Sequence, residues 1–430
     1  MPLLNEVFGV STKVPKYTYV DRSGLDAKFD YLLKSDRHIV IHGASKQGKT
    51  VLRKNVLPEE SSIVIQCRAN TTLLSLYQEI FRQLDTQALS GATKTFTWAV
   101  GGTGEASARA GLPFFAEGEA KAEGTVEVEN SNEKTYINLG HGPEFSLSHL
   151  AEEIKLADKK VVVEDFHYLP EDEKRRLAFD LKAFWDMGVF FIVVGIWSEQ
   201  NLLALYNGDL TGRVEEIDVQ WTVAELEEVI NKGEQALDIL FDDEIRAEIV
   251  ADANQNVGLL QRILEKYCFE CGVLQTRNFT TMMVNHEALD ACRRRICEEE
   301  VVRYRQFCDA VMRGYKGFEE SELKVYQHIL RVFMEASDSE IRQGIHRNTV
   351  LSRVKAYEQR VRGSDLTAAL NKLNKLQQDR NVSPLIFSYN PTSRLLQLVD
   401  RELLFYRKYG EPVWPWQEGE EDNNAICSTE

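Results

Sequence analysis

Short apolar runs separated by amphipathic stretches organise the first half of the chain. Residues 37–42 (RHIVIH), 62–67 (SIVIQC), 161–163 (VVV), 189–195 (VFFIVVG) and 216–220 (EIDVQ) are brief, valine- and isoleucine-rich runs that predict buried strands. Between them, the segment from residue 51 and residues 73–84 carry apolar side chains at helical spacing. Strands alternating with helices predict an α/β domain on a doubly wound parallel sheet. From residue 222 the pattern turns helical to about residue 281, opening on Thr222 and Glu225 at capping-box spacing. Residues 285–313 read as one long polar helix whose charge clusters at 293–295 and 298–300 predict solvated faces. Three further helical segments follow at 322–335, 349–357 and 365–378, the last expected to start from an N-cap at Ser364. The runs 384–389 and 394–399 around Asn390 then predict a β-hairpin.

One stretch follows a different rule. From Phe96 to Val128 the even positions are apolar or small and most odd positions are polar, including Glu105, Arg109, Glu117, Glu119, Lys121, Glu123 and Glu127. Strict period two predicts a β-ribbon. Leu112, Phe114 and Phe115 interrupt the pattern at its middle, so two arms of about 16 residues, on the order of 50 Å long, are expected to meet at an apolar tip. A lone hairpin of that length is not stable in water. Its small-residue face needs a cover: a soluble oligomeric or partner-docking contact, or a ring of hairpins whose apolar outer face meets a membrane.

The chemistry sits between the first strand and the helix after it. Gly43, Ala44, Ser45, Lys46, Gln47, Gly48, Lys49 and Thr50 form G-x-x-x-x-G-K-[ST], a phosphate-binding loop, and Val51 continues into the helix. The glycines let backbone N–H groups turn inward, Lys49 reaches the outer phosphates, and Thr50 is placed to hold Mg²⁺. The strand at 161–163 runs into Glu164 and Asp165, an acidic pair placed for the metal and for polarising an attacking water. Ser198, at the end of the fourth strand, is the candidate γ-phosphate sensor, and Arg213 the candidate to reach a neighbouring subunit's nucleotide. ATP with Mg²⁺ is the expected cofactor.

Composition narrows the setting. The 430 residues suffice for two or three domains, and a net charge of −16 argues against a surface that coats nucleic acid. Seven cysteines without regular spacing and no leader pattern predict a reducing cytoplasm, and Cys268 and Cys271 are expected to be ordinary helix positions. No apolar run is long enough for a transmembrane helix. Against the acidic background, residues 341–380 hold nine basic and three acidic side chains, with Asn371, Lys372 and Lys375 between the apolar positions of one helix. That is a plausible footprint for duplex DNA, or for docking as an intramolecular clamp on the acidic ATPase core.

Val20-Asp21-Arg22, the phosphate loop, VVVED, VVGIWS and Asn256 to Arg262 together resemble the branch of AAA+ ATPases that contains the origin-recognition initiators and the STAND signalling ATPases. The resemblance covers roughly residues 15–85 and 145–285. Together with the patterns above, it divides the chain into a P-loop core at 1–221 holding the β-hairpin insertion at 88–144, a helical lid at 222–284, a linker helix at 285–318, a winged helix at 319–412 and, from its acidic composition, a disordered tail at 413–430. It also implies nucleotide contacts from Asp21, Arg22 and Arg262. Two departures stand out. Glu164 precedes Asp165, the reverse of the usual order, which implies exchanged roles or slow hydrolysis. Gln261 occupies the position where the lid arginine is expected, with Arg262 next.

These readings imply a cytoplasmic ATP switch that controls homo-oligomeric assembly and acts through its hairpin or a protein partner supplying an effector, in defence or stress signalling. Two rivals stay open: a DNA-binding ATPase of initiator or transposition type, and an ATP-gated pore that joins a membrane through Leu112, Phe114 and Phe115 on activation.

Overall fold

The computed structural model describes residues 1–91, 97–100, 125–130, 133–138, 146–197, 200–315, 322–380, 382 and 384–417, with backbone alone between 85 and 145. At its centre lie β1 (His38–His42), β2 (Ser62–Gln66), β3 (Lys160–Glu164), β4 (Phe191–Val194) and β5 (Val214–Asp218), in spatial order β2-β3-β4-β1-β5. Every adjacent pair is parallel. Val161, Val163 and Val193 pack into the apolar layer on one face, and Val162, Ile192 and Val194 into the layer on the other. Burial on both faces is why these strands read as unbroken apolar runs. The expected α/β fold holds. It sets the C-terminal ends of β1, β3 and β4 side by side, the edge where a parallel sheet presents its loops.

The insertion begins after the helix Leu73–Gly91. Thr97–Val100 pairs antiparallel with Thr125–Asn130, Thr97 opposite Glu129 and Val100 opposite Val126, so the two arms meet at their bases as the alternation predicts. A third strand, Glu133–Asn138, adds to the outside of Thr125–Asn130 and was not legible in the alternation. Leu112, Phe114, Phe115 and the rest of the expected arms lie outside the described residues.

After β5 come the helices Val223–Leu237, Asp243–Asp252 and Val257–Glu270, with a small parallel pair, Ile239–Phe241 and Thr281–Met283. Cys268 is a core position of the last of these helices. The long helix His286–Arg313 follows. Beyond it stand the helices Val325–Glu335, Asp338–Gln343, Arg347–Tyr357 and Gly363–Asp379, an antiparallel sheet of Ile345–His346, Leu395–Leu398 and Phe387–Asn390, and the terminal helix Glu402–Tyr409. One apolar cluster runs without a break from Leu4 and Phe8 through Leu226 and Leu260 to Leu370, Phe387 and Trp416. The C-terminal unit therefore shares a core with the helices that precede it.

Three expectations need correction. The charge clusters of the long helix are not wholly solvated, since Arg293 and Glu300 are buried and paired with Asp252 and with Arg262 and Arg303. The helix Gly363–Asp379 starts before Ser364: its N-cap is Arg362, whose N–H is accepted by Asp365 Oδ2 at 3.1 Å. Residues 413–417 do not belong to a disordered tail, because Trp414 and Trp416 are buried and Trp416 Nε1 donates to Glu335 Oε1 at 3.1 Å; the rest of that expected tail lies outside the described residues. The acidic composition that predicts disorder starts only beyond these tryptophans. No described helix is long and apolar enough to cross a membrane.

Candidate functional site

The loop after β1 is held by glycine where no other residue fits. Gly43 has φ +139°, and a Cβ there would lie 2.6 Å from Val219 O. Gly48, at φ +76°, turns the chain into the helix Lys49–Val56. Lys49 is buried and folds back on the loop, its Nζ donating to Gly43 O at 3.2 Å and Ala44 O at 2.5 Å. Burial pulls its ammonium down to about 8, against the opposing pull of Asp165 and Glu164.

Beside the loop, β3 delivers its two carboxylates to different tasks. Glu164 accepts from Thr50 Oγ1 at 3.2 Å and from Arg53 Nε at 3.1 Å, and is almost fully buried. Burial raises its pKa while Arg53 pulls it back. Asp165 is half-buried, takes a left-handed φ of 56°, and accepts one bond from Gln66 Nε2 at 2.8 Å. The acidic pair thus divides into an inner carboxylate against Thr50 and an outer one facing the cleft.

A cavity of about 300 Å³ opens over these groups, walled by Gln47, Lys49, Glu164, Ile196, Trp221 and Gly258 among others. Arg22 is buried in that wall; its Nη1 donates to Gln47 O at 2.7 Å, and its guanidinium stacks 4.8 Å from the Trp221 ring. Trp221 Nε1 donates to the same carbonyl at 3.1 Å. The helix Val257–Glu270 closes the other side: its N-cap Asn256 donates to Ser45 O at 3.4 Å, and Gly258 N donates to Lys46 O at 3.1 Å. A Cβ at Gly258 would meet Lys46 Cβ at 2.7 Å, so the lid and loop touch backbone to backbone.

The cavity gathers Lys46 to Val51, Arg22, Glu164 and Asp165, with Gly43 to Ser45 completing the loop below it. Other candidates stand elsewhere. Asp21 is exposed and accepts Asp26 N at 3.1 Å, a local brace at the start of the next helix. Arg262 is not part of the cavity wall and is bound by Glu300 at 2.9 Å, Glu299 at 3.0 Å and Glu402 at 3.2 Å. Its neighbour Gln261 lines the wall instead. Arg213 sits at the opposite end of the sheet, 4.6 Å from the Trp185 ring, with its backbone O accepting His38 N at 2.9 Å. Ser198 lies outside the described residues; just before it, Trp197 bridges to Gly43.

Sequence reasoning missed the contacts from the C-terminal unit. Ser45 N donates to Val399 O at 3.4 Å, Lys46 Nζ to Glu402 Oε2 at 2.7 Å, and Gln378 Nε2 to His167 O at 2.9 Å. Glu402 is almost fully buried, and nothing in its local sequence marks it. The exposed Asn371, Lys372 and Lys375 share a helix with Gln378. Of the nine basic residues from 341 to 380, Arg353, Arg360 and Arg362 pair with carboxylates, and Arg342, Arg347 and Arg380 with amide, hydroxyl or carbonyl oxygens. The footprint left for an outside partner is smaller than the sequence count.

With this geometry in place, the chain is similar over nearly its full length to a Walker-type ATPase of Pyrococcus abyssi: TM-score 0.51, 15% identity, covering 94% of this chain and 99% of that one. Cdc6p from Pyrobaculum aerophilum aligns at TM-score 0.40 and 13% identity, covering 93% of this chain and 96% of its own. The Orc1 protein of Aeropyrum pernix, solved in complex with DNA, aligns at TM-score 0.38 and 12% identity, covering 93% and 96%. No protein-family model matches the sequence, and no curated protein matches it.

Proposed function

We propose that this protein is an AAA+-type ATPase that works as a nucleotide switch, with its C-terminal unit, read as a winged helix, clamped on the phosphate loop in its resting state. The observation that carries the reading is the 2.7 Å ion pair between Lys46 of the loop and the buried Glu402. Lys46 lies in the loop that cradles phosphates, so an incoming triphosphate and Glu402 compete for the same cation. Occupation by ATP therefore opposes the clamp, and release of the C-terminal unit frees surface for assembly with further copies.

The residues present suit the cofactor. Thr50 and Glu164 offer two hard oxygen donors side by side, which fits Mg²⁺. When bound, Mg²⁺ would neutralise phosphate charge. Lys49 supplies the phosphate-binding cation, Asp165 is placed to orient and polarise water, and Arg213 is free of its own site for a contact in trans. Defence or stress signalling remains part of the proposal through the STAND resemblance.

The test is sedimentation of the full chain with ADP, with ATP and with no nucleotide. Wild type is expected to associate with ATP only, Lys49→Ala to bind no Mg-ATP, and Glu402→Gln to associate at lower ATP concentration. A wild-type protein that binds no nucleotide, or whose size ignores it, overturns the reading. A second reading, duplex DNA binding, is favoured only by the exposed trio Asn371, Lys372 and Lys375.

A further inference from the structure

Between the core residue Phe8 and the buried Thr18, the chain crosses beside the cavity: Val10, Ser11 and Pro15 are part of the cavity wall. Both stems of this crossing segment are held by one side chain. The buried Gln261 amide accepts from Gly9 N at 3.1 Å through Oε1 and donates from Nε2 to Thr18 Oγ1 at 3.2 Å. Thr18 Oγ1 donates onward to Val7 O at 2.9 Å. One turn along the same helix, Glu265 presses on the first stem: a Cβ at Gly9, where φ is +115°, would lie 2.8 Å from its carboxyl group. On the other side, Lys54 of the phosphate-loop helix donates to Thr12 O at 3.0 Å. Residues 9–18 therefore form a strap tied to the lid at both stems and to the core at its middle.

We propose that Gln261 is the clasp of this strap and sets how long a nucleotide stays in the cavity. The inference rests on the cavity being the ATP site. Its physical basis is that one buried amide joins the part-buried Gly9 N–H to the buried Thr18 hydroxyl, so losing it frees both stems and leaves a buried hydroxyl short of a partner. Gln261 is a positioning residue: it acts on the nucleotide through the strap, and both ends of its amide are already engaged. This also gives the departure from the resembling ATPases a consequence, since the expected arginine would reach for phosphate, whereas glutamine fastens the cover.

The experiment is stopped-flow release of a fluorescent mant-ADP from the full-length protein, chased with excess ADP, alongside thermal melting of each nucleotide-free variant. Gln261→Ala is expected to release mant-ADP about tenfold faster than wild type. Thr18→Val, which removes only the hydroxyl, is expected to accelerate release by a similar factor, and it carries the test if Gln261→Ala melts too early. Because both act on one clasp, the double variant should release no faster than the faster single variant. Gln261→Glu keeps the acceptor for Gly9 N–H and should recover part of the slow release. Release within twofold of wild type in both single variants overturns the clasp, as do accelerations that multiply in the double variant. Wild-type protein that binds no mant-nucleotide overturns the nucleotide reading itself, a separable result.

Discussion

Glu164 and Asp165 are adjacent in sequence and occupy unlike surroundings, so neutralising them one at a time should give unlike failures. In Glu164→Gln, the buried Arg53 guanidinium loses the charge 3.1 Å away, and its Nη1 has no other partner. Breaking a buried ion pair by removing one member costs about 3–5 kcal/mol. Glutamine still offers an oxygen to Arg53 and Thr50, so the lower end, about 3 kcal/mol, is expected. For a core of this size that lowers the melting temperature by about 6–12 °C. Asp165→Asn is a different perturbation. The residue is half-buried, its carboxylate accepts from Gln66, and asparagine tolerates the left-handed backbone there. Its stability cost should stay below about 1 kcal/mol.

Differential scanning fluorimetry with and without Mg-ATP, run beside a phosphate-release assay, reads both consequences. Glu164→Gln should start from a lower melting temperature and lose most of the Mg²⁺-dependent part of the ATP shift. Asp165→Asn should melt like wild type, keep the full shift, and lose about 10²–10⁴-fold in turnover, the usual worth of a positioned acid or base. The reversed order of the acidic pair is then a reversal in name only: the inner carboxylate faces the metal and the outer one the water. If Asp165→Asn loses the Mg²⁺-dependent shift while Glu164→Gln keeps it, that assignment is wrong.

Three other outcomes follow from the same geometry. The folded pKa of Lys49, about 8, lies below the ordinary lysine value of 10.5, so between these pH values the unfolded chain holds a proton that the folded chain has lost. Stability of the nucleotide-free protein therefore gains from this group as pH rises through that window, while ATP affinity, which needs the ammonium, weakens by up to about tenfold per pH unit above 8; calorimetry in buffers of different ionisation enthalpy should detect proton uptake on binding, and its absence would refute the shift. Arg262→Ala should loosen the clamp by leaving Glu402 short of a partner, seen as faster nucleotide exchange, and a fall in ATP affinity with unchanged exchange would instead restore Arg262 to the nucleotide. Changing Lys372 and Lys375 to Glu should abolish any electrophoretic shift of duplex DNA and flatten its salt dependence; a wild-type protein that shifts no duplex at low salt removes the DNA reading.

What the sequence disclosed is what local pattern controls. The phosphate loop, the strands of the central sheet and the acidic pair were legible because each is fixed by residues within a few positions of one another, with burial on both faces imposing apolar runs. A clamp by the C-terminal unit was foreseeable, but its residues were not, because Lys46 and Glu402 lie 356 positions apart and neither is unusual where it stands. The same holds for Gln261 and Gly9, separated by 252 positions. Arg262 was placed one position too generously: successive residues of a helix are turned by about 100°, so Gln261 lines the cavity while Arg262 meets Glu300, Glu299 and Glu402. Lengthening the N-terminal turn by two residues from Ser364 to Arg362 was equally invisible, since both positions have plausible capping partners in Asp365.

The cations around the cavity bear on how such a site can work. Lys49 is spent on the carbonyls of Gly43 and Ala44, Lys46 on Glu402, Arg22 on Gln47 O and Arg53 on Glu164. A triphosphate entering this site meets positive charges that are already engaged, and each one it recruits must first leave a protein partner. Binding is then an exchange of contacts, and its net free energy is the difference between the two sets. For Lys49 and Arg22 the exchange stays within the loop and its wall. For Lys46 it extends to the C-terminal unit, where Glu402 is also held by Arg262 and by Arg303 of the long helix. Of these four cations, Lys46 is the one whose protein partner belongs to the C-terminal unit. A ligand moves a two-state equilibrium by no more than its differential affinity for the two states, so Lys46 is where the triphosphate's preference for the open arrangement must be expressed. Replacing Lys46 with methionine should consequently uncouple the two events, leaving measurable Mg-ATP binding through Lys49 with no change in association state.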